Sequence, residues 1–304
     1  MMKQKINIAI TPSSFGVSDE SKKIVNEYFD NVIINQNGRR LNKKETLDIL
    51  KDCHGVIAGL EVYDEEIFKK CPNLKAISRV GIGIDNIDLQ SANHHNIKIL
   101  NTPDEPAFAV AEMTLSMMLF MIKKINFFND NTHSLIWEKS ITSSLNQANI
   151  LIVGYGRIGK KLHSLLEPFN ANIFISDPQY TNHPNYIDLN DGIQIADIIS
   201  LNAATKKTIF GKEEFQLLKK GVIILNPSRD ILIDSNLVID YSNKGIIQGA
   251  WFDAFSNEPY SGDMIGKKNI YLTPHISTYT DVCRRDMELK ATKNLISFFE
   301  KNEN

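Results

Sequence analysis

An apolar run at residues 149–153 leads directly into Gly154-Tyr155-Gly156-Arg157-Ile158-Gly159, and a helical pattern over 158–166 follows at once. No other feature constrains the fold as much. Strand, glycine-spaced turn and helix in immediate succession describe the opening of a βαβ unit, with the turn at the carboxyl end of a buried strand. The first glycine permits a tight turn, the second lets a pyrophosphate approach the backbone, and the third lets the helix pack closely. The helix N-terminus then favours anionic phosphates. The next apolar run ends at Asp177, where a carboxylate accepts from ribose hydroxyls and repels a 2′-phosphate. Pro178-Gln179-Tyr180 supplies no arginine to offset it. These residues favour NAD over NADP.

The alternation continues along the chain. Residues 6–10, 31–34, 55–58, 74–79 and 98–100 read as short buried strands, with helical patterns at 18–29, 43–52 and 64–71. This predicts a small doubly wound domain without a phosphate loop of its own. Asn101-Thr102-Pro103 marks a hinge. Residues 107–127 predict one long helix, apolar on several faces (Val110, Met113, Met117, Met118, Phe120, Met121), which serves either core packing or a subunit interface. Residues 126–147 read as polar and irregular, with Trp137 as an anchor. Further strands at 173–176, 198–201, 222–225, 246–250 and 270–272 suit a dinucleotide-binding sheet. A last helix over 281–299 is expected to cross back to the first domain, making it discontinuous. The expected division is 1–101 with 282–304 against 102–281.

Three further apolar runs close on Asn226-Pro227-Ser228-Arg229, on Asp253-Ala254-Phe255-Ser256-Asn257-Glu258-Pro259 and on Thr273-Pro274-His275. At the carboxyl edge of an open sheet, such side chains project into a ligand crevice. Reduction of a 2-keto acid needs a cation for the carboxylate, and arginine grips one with two parallel hydrogen bonds. The carbonyl oxygen needs a proton, and histidine titrates near working pH. A carboxylate must orient the imidazolium. Arg229, His275 and Glu258 fill these roles in turn, and Asp253 is placed to accept from a nicotinamide carboxamide. Taken singly, each has a duller reading as a surface ion pair or a turn residue.

The chain has 304 residues, with 34 basic against 36 acidic side chains and a net charge of −2. No basic stripe points to nucleic acid. The N-terminus runs straight into a strand pattern with no signal-peptide core, and the most apolar later stretch is too short to span a bilayer. Cys53, Cys71 and Cys283 lie far apart in no metal-ligand spacing, so no metal is expected and the thiols read as reduced, in a cytoplasmic protein.

Taken together, the chain resembles the NAD-dependent D-2-hydroxyacid dehydrogenases over essentially its whole length. Beyond the motifs above, Ser78-Arg79-Val80-Gly81-Ile82-Gly83-Ile84-Asp85 is similar to their substrate loop. Asn101-Thr102-Pro103 and Val110-Ala111-Glu112 are similar to their hinge and interface helix. The resemblance implies an α/β protein of two Rossmann-like, doubly wound parallel-sheet domains, a flavodoxin-like substrate domain and a dinucleotide-binding domain. It implies a homodimer built on helix 107–127. It also places Arg229, Glu258 and His275 in catalysis, and Arg79, Ile82, Gly83, Arg229 and His275 around the substrate. The cofactor set is Gly154 to Gly159, Asp177, Asn202, Ala203, Thr208, Pro227, Ser228, Arg229, Asp253 and His275.

Short phosphoglycerate dehydrogenase-like members look nearest, which makes 3-phosphoglycerate the first substrate expected, with Arg79 and Arg39 or Arg40 as partners for its phosphate. Leu60-Glu61-Val62 departs from that pattern, because a glutamate repels a phosphate. Asp230 stands where the family usually has glycine, and Asn202-Ala203-Ala204 replaces a usual His-x-Pro. These departures keep two alternatives open: an NAD(H)-sensing, co-repressor-like protein on the same fold, and a dehydrogenase for a sugar-derived hydroxy acid.

Overall fold

The structure, a computed structural model, describes residues 4–17 and 19–302. Met1 to Lys3, Ser18 at the expected start of the first helix, and residues 303–304 lie outside the described residues. The chain divides into two units, one up to Pro106 and again from Tyr279, the other Ala107–Thr278.

The first unit alternates β1 (Gln4–Ile10), α1 (Asp19–Tyr28), β2 (Phe29–Ile34), α2 (Lys43–Leu50), β3 (Gly55–Ala58), α3 (Glu65–Lys70), β4 (Ala76–Arg79), α4 (Leu89–His94) and β5 (Lys98–Leu100). The strands are parallel in the order β2-β1-β3-β4-β5, the flavodoxin-like order. Ile8, Ala9, Ile10, Val56, Ile57 and Ala58 are fully buried, as central parallel strands covered on both faces must be. Helix starts follow cap chemistry. Asn42 and Glu45 exchange side-chain and backbone hydrogen bonds at α2, and Asp64 accepts from Ile67 N at α3. Helix α4 is an addition to the expected elements. It is short, and the Asp88 carboxylate nucleates it by accepting from Gln90 N and Ser91 N.

The second unit holds α5 (Pro106–Ile122), α6 (Ile125–His133), β6 (Asn149–Val153), α7 (Arg157–Leu166), β7 (Asn172–Ser176), α8 (Leu189–Ile195), β8 (Ile198–Leu201), α9 (Lys212–Gln216), β9 (Val222–Asn226), α10 (Ser235–Asn243), β10 (Ile247–Phe252) and β11 (Ile270–Leu272). Its six parallel strands run β11-β10-β9-β8-β6-β7. Trp251 is fully buried on β10 in the cluster that also takes Met118, Met121 and Ile122 of α5. One face of α5 is therefore core. Finally, α11 (Asp281–Asn302) returns to the first unit, against α1, β3, β4 and β5.

Two expectations are corrected. The long helix over 107–127 is two helices, broken where Lys124 takes a left-handed conformation with φ 50°. A single such residue costs about 1–2 kcal/mol, and no glycine or proline announces it. The segment 126–147 is accordingly helical at its start, as α6. Trp137 is no anchor within this chain: it is 82% exposed, and Leu135 and Ile141 are at 95% and 97%. Among the described residues, no helix is long and apolar enough to cross a membrane.

Candidate active site

The order of the second sheet sorts the expected residues into two groups. The carboxyl ends of β6, β7 and β8, which are neighbours, carry the glycine loop, Asp177 and Asn202-Ala203. The carboxyl ends of β9, β10 and β11, also neighbours, carry Arg229, then Asp253 and Glu258, then His275.

In the first group each glycine has a distinct steric reason. Gly154 has φ +91°, and a Cβ there would lie 2.6 Å from Ala203 N. A Cβ on Gly159 would lie 2.3 Å from the Gly154 carbonyl oxygen, so α7 sits directly on the loop. A Cβ on Gly156 would meet nothing within 4 Å. Gly156 is also the N-cap of α7 and offers no side chain to its first amides, which leaves them for an anion. These features fit a pyrophosphate lying along Gly156-Arg157-Ile158. Asp177 accepts from Tyr155 N at 2.7 Å and Gln179 N at 2.9 Å, which ties the carboxylate to the loop.

Tyr155 turns its ring inward, with its hydroxyl 2.7 Å from His163 Nδ1. Its place in the loop is structural. Asn202 N donates to the Val153 carbonyl at 2.7 Å, so the Asn202-Ala203-Ala204 segment still abuts the glycine loop. The Asn202 Oδ1 is buried without a partner in the described structure. Thr208 is exposed farther along the same connection.

In the second group, His275 Nδ1 lies 2.9 Å from Glu258 Oε1, and the two side chains are only 30% and 22% exposed. Glu258 Oε1 also accepts from Phe255 N at 3.0 Å. Burial is the largest influence on the Glu258 carboxyl and works to raise its pKa. The hydrogen bonds from His275 and Phe255 N, with the charges of His275 and Arg229, outweigh it and hold the pKa below the ordinary value. An ionised Glu258 accepts from Nδ1–H, which leaves Nε2 for a reacting oxygen.

His275 itself sits at φ +54°, a conformation that costs a non-glycine residue about 1–3 kcal/mol. Asp253 holds it there. The Asp253 carbonyl accepts from His275 N at 2.8 Å, and its carboxylate accepts from Thr273 Oγ1 at 2.5 Å and from Ile276 N and Ser277 N at 3.0 Å each. With three acceptor positions of about four in use, Asp253 builds the histidine turn first. Trp251 Nε1 extends the chain by donating to Thr273 Oγ1 at 2.9 Å.

Arg229 is placed by its turn. Asn226 Nδ2 donates to the Arg229 carbonyl at 2.7 Å, Ser228 N donates to Asn226 Oδ1 at 3.2 Å, and Pro227 is buried. The structure thus brings Arg229, Asp253, Glu258 and His275 onto one stretch of sheet edge. Sequence reasoning missed Trp251, and it quoted Ser256 and Thr273 without giving them a role, because their partners lie on other strand ends.

Arg79, Ile82 and Gly83 belong to the first unit. There the loop after β4 is pinned by Gly81 N donating to Thr102 Oγ1 at 2.7 Å and by Asn101 Nδ2 donating to the Ile82 carbonyl at 2.9 Å. Arg79 donates to the Val80 carbonyl. Two further charged residues of this unit have partners of their own. Arg39 is held by Glu45 through contacts of 2.9 and 2.6 Å. Glu61 is 2% exposed and accepts from Thr11 Oγ1 at 2.6 Å and Gly59 N at 3.1 Å.

Comparison with known proteins identifies the family and the fold. The sequence profile described as D-isomer specific 2-hydroxyacid dehydrogenase, NAD binding domain, matches residues 115–277, more than half of the chain. A glyoxylate reductase of Thermococcus litoralis is 31% identical over 254 residues, covering 77% of this chain and 77% of the relative. A D-3-phosphoglycerate dehydrogenase of Methanocaldococcus jannaschii is 29% identical over 260 residues, covering 81% of this chain but 49% of that longer protein. The fold of an Aquifex aeolicus D-lactate dehydrogenase, solved with NAD and lactic acid, superposes with a TM-score of 0.84 at 21% identity, covering 97% of this chain and 96% of that one. With its fold, its glycine loop and its sequence all in agreement, the chain belongs to the D-isomer-specific 2-hydroxyacid dehydrogenases and is an NAD-dependent oxidoreductase of that family.

Proposed function

We propose that Arg229, Glu258 and His275 carry the reaction of this enzyme, the interconversion of a D-2-hydroxy acid and its 2-keto acid. The observation that carries this reading is the Glu258–His275 contact of 2.9 Å on the loops that follow β10 and β11, beside the Arg229 turn after β9. NAD, which the glycine loop and Asp177 would hold, would supply the hydride acceptor in oxidation and, as NADH, the hydride donor in reduction. Arg229 holds the substrate carboxylate. In reduction, His275 Nε2 gives its proton to the C2 oxygen as the carbonyl becomes an alkoxide. In oxidation it takes the hydroxyl proton back. Glu258 orients the ring and stabilises its charged form. Asp253 holds the turn that presents it. Arg79 and the Ile82 and Gly83 amides are assigned to the substrate, and Asp177 to the ribose.

For the acid itself, the buried Glu61 and the engagement of Arg39 by Glu45 favour an unphosphorylated acid of the glyoxylate, lactate or hydroxypyruvate kind. The second reading is 3-phosphoglycerate, supported by the resemblance and by the Methanocaldococcus relative. NADH consumption across glyoxylate, pyruvate, hydroxypyruvate and 3-phosphohydroxypyruvate separates the two. A higher kcat/KM for the phosphorylated acid overturns the preference, and no turnover on any of them removes the assignment.

The assembly proposed is a homodimer. Phe108, Ile125 and Phe127 are at least 40% exposed, and Leu135, Trp137 and Ile141 more so. Apolar surface of this extent on one segment marks an interface. Sedimentation of Trp137→Ala against the parent chain tests it, and a monomeric parent chain ends the proposal. The near-neutral charge argues against a nucleic-acid partner, and buried free Cys53, Cys71 and Cys283 suit the reducing cytoplasm.

A further inference from the structure

Asp230 follows Arg229, where a carboxylate could compete with a substrate carboxylate for the guanidinium. The structure gives its carboxylate a different engagement. Oδ1 accepts from Ser256 Oγ at 2.5 Å, and Oδ2 accepts from Ser256 N at 3.0 Å. Both oxygens thus grip one residue on the connection after β10. The two ends of this contact are firmly placed. Asp230 opens a short helical turn, Asp230–Leu232, whose Leu232 is fully buried and whose neighbour Ile233 is 3% exposed. Ser256 follows Phe255, whose N–H is held by Glu258 and whose ring stacks on Tyr260 with centroids 4.3 Å apart.

From this geometry we propose that Asp230 is a positioning residue, acting through Ser256 to lock the Arg229 turn to the loop that carries Glu258. The inference rests on the roles given above to Arg229, Glu258 and His275. Without the lock, the loop from Asp253 to Pro259 keeps its internal contacts but loses a tie to the strand beside it. Ser256 is itself exposed, so its tie to Asp230 does not come from core packing. The consequence for reaction is specific. A looser Glu258 orients the His275 ring less well, which lowers kcat, and supports its charged form less, which moves the alkaline limb of the reduction profile toward lower pH. Substrate affinity changes less, because Arg229 keeps its own contacts to Asn226.

The test is steady-state reduction by Asp230→Ala, Ser256→Ala, the double variant and Ser256→Thr, with His275→Gln alongside and melting temperatures for each. Asp230→Ala and Ser256→Ala should each lower kcat about tenfold, the scale of a lost hydrogen bond to a charged group. The double variant should be no slower than the slower single, because both remove the same contact. Ser256→Thr, which keeps the hydroxyl, should restore most of the rate. Multiplicative losses in the double variant overturn the proposal. So does a fall in melting temperature with kcat and pH profile unchanged. If Asp230→Ala does not fold, Ser256→Ala, a truncation at the surface, reads the same contact. A fully active His275→Gln removes the underlying assignment. An inactive His275→Gln beside fully active Asp230 and Ser256 variants removes only the lock.

Discussion

The two halves of the second sheet's carboxyl edge are built on opposite plans. Around β6, β7 and β8 the site is mostly backbone. Its glycines are set by what a Cβ would strike, 2.6 Å at Gly154 and 2.3 Å at Gly159, and by what it would not strike at Gly156. Around β9, β10 and β11 the site is side chains, and Arg229, Glu258 and His275 come from three separate strand ends. The glycines of the backbone half all fall within Gly154–Gly159, and at Gly154 and Gly159 the neighbouring backbone leaves no room for an added Cβ. The side-chain half is dispersed and depends on hydrogen bonds that hold loops in register, such as those of Asp253 to the 273–277 turn. On the roles proposed above, one half would bind by shape and the other would react through placed charge and protons.

If that contrast is right, damage to one half should leave the other standing. The largest effect belongs to His275→Gln, expected to lower turnover by at least about 10²-fold, the lower end of what general acid–base help contributes. NADH binding, read by fluorescence titration, should stay near normal. A parallel loss of NADH binding would break the division between halves. Next in size, Gly159→Ala should cost about 1–3 kcal/mol of stability, as overpacking does, because the new methyl meets the Gly154 carbonyl. Gly156→Ala should melt like the parent chain yet bind NADH more weakly, since the methyl occupies only the ligand side. Equal melting of the two variants would refute the steric account.

Smaller again, Arg229→Lys should raise KM for the keto acid by about tenfold, the two-pronged grip being reduced to a point charge. An unchanged KM would point to another anchor for the carboxylate. The smallest effect is the pH dependence of stability. The folded-state pKa of Glu258 lies below its ordinary value of 4.5, so its contribution is complete above that value and is lost as pH falls through the depressed one. The stability gap between the parent chain and Glu258→Gln should therefore narrow on acidification below about 4.5, as urea melts at several pH values can show. A gap that widens there would reverse the sign of the argument.

How far the sequence could be read follows the same contrast. The strands at 55–58, 149–153 and 198–201 match β3, β6 and β8, because parallel strands buried on both faces announce themselves as continuous apolar runs, and those at 98–100 and 270–272 match the partly buried edge strands β5 and β11. The break at Lys124 was marked only by the Lys123-Lys124 pair that interrupts the apolar stretch, and the left-handed residue is neither glycine nor asparagine. Trp137 misled because a tryptophan in a polar segment carries no mark of whether this chain covers it, and here it is exposed. Arg39 looked available until its partner Glu45 was seen to hold it.

By itself, the sequence determined the α/β class, the glycine loop with its acidic follower, and the types of group the chemistry needs. Each of these is local, carried by neighbouring residues or by one strand and its end. Only the tertiary structure decided which groups meet. Asp230 and Ser256, Asp253 and Ser277, and Trp251 and Thr273 are joined across strands. Their contacts depend on strand order and register, which arise when the whole sheet packs and which no single stretch of chain encodes.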